Sequence, residues 1–291
     1  MLSIAPLRQN AGAYRPFLIL ILNISNISVG GDEAVTRTTE KKPSFIGEMR
    51  AGRQQIGLRS QLCSPIAAEA LGFSGCDYVY IDMEHSPNDL MSVLQQAQAL
   101  AGTPAHVLVR LPKLDSLLIQ QLLDFGIENI VVPMVETVEE AQMAVAATRY
   151  PPHGVRSVAK VHRGNHYAGG SDYFDEIDAR VCLIVMIETR AALGRIEEIA
   201  AVDGVHGVLI GPADLAADLG HARASGHADV IAAITGAIPK IRAAGAFAGM
   251  SAGDGATGRK WLAAGCQFVS VAGDIQMLAS QARAMVEEAS A

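Results

Sequence analysis

From Phe45 onward, short apolar runs alternate with longer stretches of helical period. Eight such runs stand out: Ile56–Ser60, Tyr78–Asp82, His106–Arg110, Asn129–Pro133, Val181–Ile187, Gly207–Ile210, Ala246–Met250 and Phe268–Val271. Each is apolar on both faces and is bounded by Gly, Pro or polar residues. Parallel strands covered by helices on both sides show this pattern. Between them the spacing predicts helices over Ser64–Leu71, Asn88–Ala101, Leu114–Phe125, Thr137–Arg149, Ala191–Ala200, Ala228–Ala243, Asp254–Ala264 and Ile275–Ala289.

Local signals agree with these bounds. Ser64 before Pro65 is an N-cap followed by a first-turn proline. Thr137-Val-Glu-Glu140 has the capping-box spacing. Gly126 and Gly265 sit where a helix end wants a left-handed residue. Eight strands alternating with helices predict one α/β domain, a (β/α)8 TIM barrel over residues 44–291. A doubly wound open sheet is the alternative, but no glycine-rich turn follows the first strand. The longest insertion, Tyr150–Asp178, is rich in Gly, His, Tyr and Arg, and long loops of this kind are often functional.

Composition narrows the class. Half of the 291 residues are apolar and the net charge is −7. There is no basic cluster, so nucleic acid is not an expected partner. Cys63, Cys76, Cys182 and Cys266 form no CxxC pair and no metal-ligand spacing. They read as reduced thiols of a cytoplasmic protein. No apolar run is long enough to span a bilayer. Pro16–Leu22 follows Arg8 and Arg15 like a signal h-region, but no small-residue cleavage site lies close behind it. Residues 1–43 are expected to be a disordered extension outside the fold.

A barrel gathers its chemistry at the C-terminal ends of its strands. The second strand exits into Asp82, Met83, Glu84 and His85, and the third ends in Arg110. The fifth exits into Glu188, the sixth into Gly211-Pro-Ala-Asp214. Glu188 and Asp214 would be hard carboxylates on neighbouring strand ends, a set that suits Mg2+ or Mn2+. Either acid alone could instead cap a helix or join an ion pair, and Asp214 could cap a helix starting near Leu215. Arg110 would suit a carboxylate or a developing enolate oxygen, or else pair with Glu84 or Asp82. The backbone N–H groups of Gly211, Ala213 and Asp214 would form an anion site at a helix start. His85 is the one histidine placed among these charges and is the acid/base candidate. No lysine ends a strand, which disfavours a Schiff base and favours metal-assisted enolisation.

These residues resemble the HpcH/HpaI aldolase family of class II pyruvate aldolases. The resemblance runs from about Phe45 to Ala289. It is carried by "IDMEHSPND" (81–89), "VLVRLP" (107–112), "NIVVPMVETVEEAQ" (129–142), "TRYPPHGVRSV" (148–158), "VMIET" (185–189) and "GVLIGPADLAADLGH" (207–221). Within the family, "TRYPPHGVRSV" followed by "HRGN" is most similar to the 2-dehydro-3-deoxyglucarate aldolases.

The resemblance implies roles. His85 matches the catalytic base, and Asp124 in "LLDFG" the carboxylate that raises its basicity from a neighbouring subunit. Arg110 matches the group that stabilises the enolate, and Glu188 and Asp214 the ligands of a divalent metal (Mg2+, Mn2+ or Co2+). Ala213 and Asp214 match positions that contact the oxo-acid end of the substrate. The implied reaction is cleavage of a 2-oxo-4-hydroxy acid to pyruvate and an aldehyde. The resemblance also implies a homo-hexamer or other homo-oligomer, with the C-terminal helix packed on a partner subunit. Two positions depart from the family. Met186 stands where a substrate-touching Gln is usual, and Arg59 where the first strand usually ends in an aromatic. Arg59 would favour an extra carboxylate or hydroxyls on the substrate. A related acyl-CoA lyase of the citryl-CoA or malyl-CoA type, and a non-catalytic oxo-acid binder, remain the alternatives. The first is disfavoured by the lack of a basic, adenine-stacking surface.

Overall fold

The computed structural model describes residues 42–170 and 172–291. The expected extension lies, up to Lys41, outside these residues. Eight parallel strands close into a barrel in chain order. They are β1 (Gln55–Ser60), β2 (Tyr78–Asp82), β3 (His106–Arg110), β4 (Asn129–Val132), β5 (Cys182–Ile187), β6 (Gly207–Ile210), β7 (Phe247–Ser251) and β8 (Phe268–Gly273). The helices are α1 (Phe45–Arg50), α2 (Pro65–Gly72), α3 (Leu90–Leu100), α4 (Ser116–Asp124), α5 (Val138–Thr148) and α6 (Tyr173–Arg180). They continue with α7 (Arg190–Gly194), α8 (Ile196–Ala200), α9 (Pro212–Asp218), α10 (Ala228–Ala243), α11 (Gly255–Ala263) and α12 (Asp274–Ser290).

The strand alternation sorts residues between two cores. Val79, Ile81, Val109, Ile130, Val185 and Val208 pack outward against the helices. Tyr78, Tyr80, Leu108, Val131, Ile184, Met186 and Leu209 fill the lumen. Helix α1 closes the N-terminal end of that lumen. Its Phe45, Ile46 and Met49 pack with Tyr78 and Phe268, and Phe45 meets both rings edge-on at 5.3 and 6.2 Å. Gly57 and Gly249 make room for those rings, since a Cβ at either would overlap Tyr78 or Phe268.

Ser64 caps α2 through Ala67 N–H, and Thr137 and Glu140 form the expected box on α5. Gly126 and Gly265 have φ of 82° and 111°. Two of these expectations change. The helix predicted over Ala191–Ala200 is two short helices that break at Arg195. The insertion Tyr150–Asp178 is not all loop: it holds a 3-10 turn at Arg163–Asn165 and the start of α6. It also joins a helix end to a strand start, so it lies at the N-terminal face of its own barrel, away from the mouth where β2 and β5 exit.

Candidate active site

The side-chain period of two aims the last inward residue of each strand at the mouth. On β2, Tyr78 and Tyr80 point into the lumen, so Asp82 does too. Its register partner on β3 is Arg110. The guanidinium grips Asp82 with two bonds, Nε to Oδ1 at 2.9 Å and Nη2 to Oδ2 at 2.6 Å. Nη1 also stands 2.6 Å from Oε2 of Glu84, in ion-pair rather than aligned hydrogen-bond geometry. Asp82 is fully buried and Arg110 nearly so. Both structural pairings foreseen for Arg110 therefore occur at once. Burial pushes the Asp82 carboxyl up, but Arg110 and the Glu84 and His85 N–H groups outweigh it and bring it below the usual range. Glu84 moves the other way, because its burial outweighs Arg110 and His85.

Asp82 also fixes the loop that follows. Its Oδ1 accepts the backbone N–H groups of Glu84 and His85 at 3.1 and 3.3 Å. Asn88 Nδ2 donates to the Asp82 carbonyl at 2.9 Å, and Gln96 of α3 donates to Asn88 Oδ1 at 2.7 Å. Ser60 at the end of β1 closes the chain by donating to Gln96 at 2.8 Å. The loop is thus held by a buried amide network. The His85 ring remains out in the mouth, 61% exposed, with Nε2 3.7 Å from Glu84.

Across the barrel, Glu188 follows β5 and is buried at 3% exposure. Its Oε2 accepts Met134 N–H at 3.0 Å, and Met134 holds a left-handed φ of 53° to deliver it. Such strain in a non-glycine residue is typical of functional sites. Burial raises the Glu188 carboxyl to about 7, with Glu84 and Asp214 adding to the rise and Met134 and Arg110 opposing it. Asp214 lies in the first turn of α9, exposed and without a hydrogen bond or ion pair among the described residues. It is not the cap of that helix; Gly211 is. Gly211 has a different use from the one expected. Its N–H is taken by Ile187 O at 3.2 Å, because the β5–β6 ladder continues one residue past the strand, so it adds nothing to an anion site. A Cβ there would overlap Oε1 of Glu188; the missing side chain is the space the carboxylate occupies. The N–H groups of Ala213 and Asp214, in the first helical turn, have no intrahelical acceptor.

These residues suit a divalent cation. Two carboxylates at adjacent strand ends, one buried with its acidity suppressed and one unpartnered, are hard oxygen donors beside a cradle kept open by glycine. A divalent metal is the cofactor expected of the family resembled.

Asp124 is not with His85 in the chain. It ends α4, at the opposite end of the barrel, where Arg156 Nη2 meets its Oδ1 at 2.6 Å and His162 Nε2 lies 4.0 Å away. The Arg156 side chain is completely buried, stacked 4.5 Å over the Tyr150 ring and bonded to Tyr173 Oη at 3.0 Å. Sequence reasoning missed the residues that hold the mouth, Asn88, Gln96 and Met134, and Arg156, which holds Asp124. The Pro87-Asn88 break was the one visible signal.

Comparison with known proteins places the chain. The family model "HpcH/HpaI aldolase/citrate lyase" matches residues 55–280. A hydroxypyruvate/pyruvate aldolase of Cupriavidus necator is 45% identical over 82% of this chain and 89% of its own. A 4-hydroxy-2-oxo-heptane-1,7-dioate aldolase of Klebsiella pneumoniae is 44% identical over 83% and 92%. The crystal structure of an HpcH/HpaI aldolase/citrate lyase family protein from Burkholderia cenocepacia superposes with TM-score 0.79 at 36% identity, over 82% of this chain and 95% of that one. The chain belongs to the HpcH/HpaI aldolase/citrate lyase family.

Proposed function

We propose that the chain is a divalent-metal-dependent aldolase that cleaves a 2-oxo-4-hydroxy acid to pyruvate and an aldehyde. The observation that carries this reading is the mouth: a buried, suppressed Glu188 beside an unpartnered Asp214, within electrostatic range of a clamped Arg110. A cation held by Glu188 and Asp214 would supply Lewis-acid polarisation of the 2-oxo group, and Mg2+, Mn2+ and Co2+ all suit that pair.

The chain's own groups supply the rest. The Ala213 and Asp214 N–H groups hold the C1 carboxylate at the start of α9. His85 takes the C4 hydroxyl proton. The C3–C4 electron pair then moves into the oxo-acid half as an enolate, and C4 leaves as the aldehyde. Arg110 stabilises the enolate oxygen: two of its five N–H groups bond Asp82, Nη1 faces Glu84 as an ion pair, and the other N–H groups carry no hydrogen bond among the described residues. Because Asp82 and Glu84 hold it rigidly, little reorganisation is needed when charge develops. Protonation at C3 gives pyruvate. Asp124 of a neighbouring copy would complete the base, since the chain's own Asp124 lies at the far end. An assembly, a homo-hexamer or other homo-oligomer, follows. The exposed Ile275, Leu278, Met285 and Val286 of α12 are an apolar ridge suited to such packing. Among the described residues no helix is long and apolar enough to cross a membrane. The four free cysteines fit a reducing, cytoplasmic setting.

The test is pyruvate release from 2-dehydro-3-deoxyglucarate and 4-hydroxy-2-oxo-heptane-1,7-dioate, with Mg2+ and then with EDTA. Release that survives EDTA refutes the metal dependence. A fully active Glu188→Gln variant refutes its place as ligand.

A further inference from the structure

Arg59 is the second guanidinium of the mouth. Gly57 faces Tyr78 in the lumen and Leu58 packs outward, so Arg59, two residues on from Gly57, points inward at the end of β1. Its register partners are Tyr80 and Gly273. Its guanidinium carbon lies 5.8 Å from the centre of the Tyr80 ring, and that of Arg110 lies 5.7 Å from the same ring.

The two arginines differ in what they hold. Arg110 carries two carboxylates. Arg59 has no carboxylate within ion-pair distance among the described residues. Among the described residues its one hydrogen bond is a long one, Nη2 to Ser251 Oγ at 3.4 Å, and its Nε is buried without a partner. A guanidinium offers five donors in a planar fork that matches a carboxylate. Leaving most of them unmet at a half-buried site is unfavourable unless something else arrives. The two side chains directly beneath, Tyr80 and Met186, carry no counter-charge. Tyr80 Oη donates to Met186 Sδ at 3.8 Å, and burial holds the phenol well above its usual range, so it stays neutral.

The position also fixes which end of a substrate Arg59 would meet. In a closed ring of eight strands, β1 lies opposite β5. Glu188 and the start of α9 belong to β5 and β6, so the oxo-acid end is held on the far side of the mouth. Gly273 lies beside Arg59: a Cβ there would stand in ordinary contact with the Arg59 Cβ, at 3.7 Å, and 2.9 Å from the end of the Gln61 side chain.

We infer that Arg59 receives a carboxylate at the distal end of the substrate, so that the aldehyde half is acidic and the substrates are 2-oxo-4-hydroxy dicarboxylic acids. This rests on the aldolase reading above. The test uses the intact enzyme with pyruvate and Mg2+. Aldol formation is measured with succinic semialdehyde and with its methyl ester, which differ in the terminal charge. The quantity read is the acid-to-ester ratio of kcat/KM. In the wild type it is expected to exceed roughly ten, the worth of one charge-assisted contact. In Arg59→Gln it should fall toward one, chiefly through a higher KM for the acid. In Arg59→Lys, which keeps charge without the fork, it should lie between; that variant decides the matter if Arg59→Gln does not fold. A wild type that turns over both aldehydes equally, or variants that keep the full ratio, overturn the inference alone. A wild type inert on both overturns the aldolase reading and this inference with it.

Discussion

Gly211→Ala is the sharpest probe of the site, because it adds one methyl group and changes no charge. Gly211 has φ −89° and ψ 99°, a conformation alanine adopts without strain. The effect must therefore come from contact. The added Cβ would overlap Glu188 Oε1 and stand 2.8 Å from its Cγ and 3.0 Å from its Cδ. Carbon pairs rest at about 3.5–4.0 Å, so the Glu188 side chain must retreat by roughly 0.7 Å or more. That movement breaks its bond with Met134 N–H, a charge-assisted contact worth about 1.5–3 kcal/mol. Loss of groups that orient a metal ligand typically weakens the metal by about 10–100-fold. The Mn2+ dissociation constant, from calorimetry or the paramagnetic signal of free Mn2+, should rise by that factor. The melting curve in EDTA should fall as well, by the same roughly 1.5–3 kcal/mol, so the metal is titrated at a temperature where the apo variant is still folded. A folded Gly211→Ala protein that binds Mn2+ within about twofold of the wild type would refute the claim that Glu188 is a ligand placed by this glycine.

Other consequences can be checked separately. Asp82→Asn leaves Arg110 buried with only Glu84 as a charge partner; urea unfolding should show a loss of about 3 kcal/mol, together with a fall in kcat. His206 is held near 4 by burial and by Arg50 and Arg149. A histidine whose folded value lies below its unfolded one takes up protons on unfolding. The His206 contribution to stability is therefore full above about pH 6.5 and is lost as the pH drops toward 4, by up to about 3 kcal/mol. His206→Asn, which can still accept Leu183 N–H as Nδ1 does at 3.1 Å, should flatten that slope; an unchanged slope would remove His206 as its cause. Mixing His85→Ala with Asp124→Asn chains and reassembling them should restore pyruvate release that neither shows alone, because some mouths then combine an intact His85 with an intact Asp124. No recovery, in oligomers shown to be mixed, would mean that Asp124 does not act across the interface.

Much of the fold was legible because the strands carry it locally. Tyr78–Asp82, His106–Arg110 and Gly207–Ile210 have the predicted bounds, since each is apolar on both faces and is stopped by a polar exit. Helix α1 was not foreseen: six residues have no periodicity to read, and its apolar side exists to fill a lumen that only the closed barrel creates. The break at Arg195 was equally hidden inside one apolar pattern. The strand-exit rule found Arg110, Glu188 and Asp214, but it could not say how they are held. Met134 meets Glu188 across 54 positions, and the expected use of the Gly211 N–H failed because strand pairing claims it first. Asp124 escaped the rule altogether, since it ends a helix at the wrong end of its own barrel.

The plug formed by Phe45, Ile46 and Met49 has a kinetic meaning. With the lower end sealed by α1 and the Tyr78 and Phe268 rings, and the lumen above packed by Tyr80, Leu108, Val131, Ile184, Met186 and Leu209, the mouth is closed from below. On the proposed reading the oxo-acid half would sit against the buried Glu188 and the aldehyde half would reach across the mouth toward the half-buried Arg59. Held by the metal ligands and the start of α9, the oxo-acid half would be the better anchored, so the aldehyde would leave first and pyruvate last. Pyruvate should then inhibit cleavage competitively and the aldehyde noncompetitively. A short helix at the far end thereby leaves solvent above the mouth as the side from which substrate exchanges.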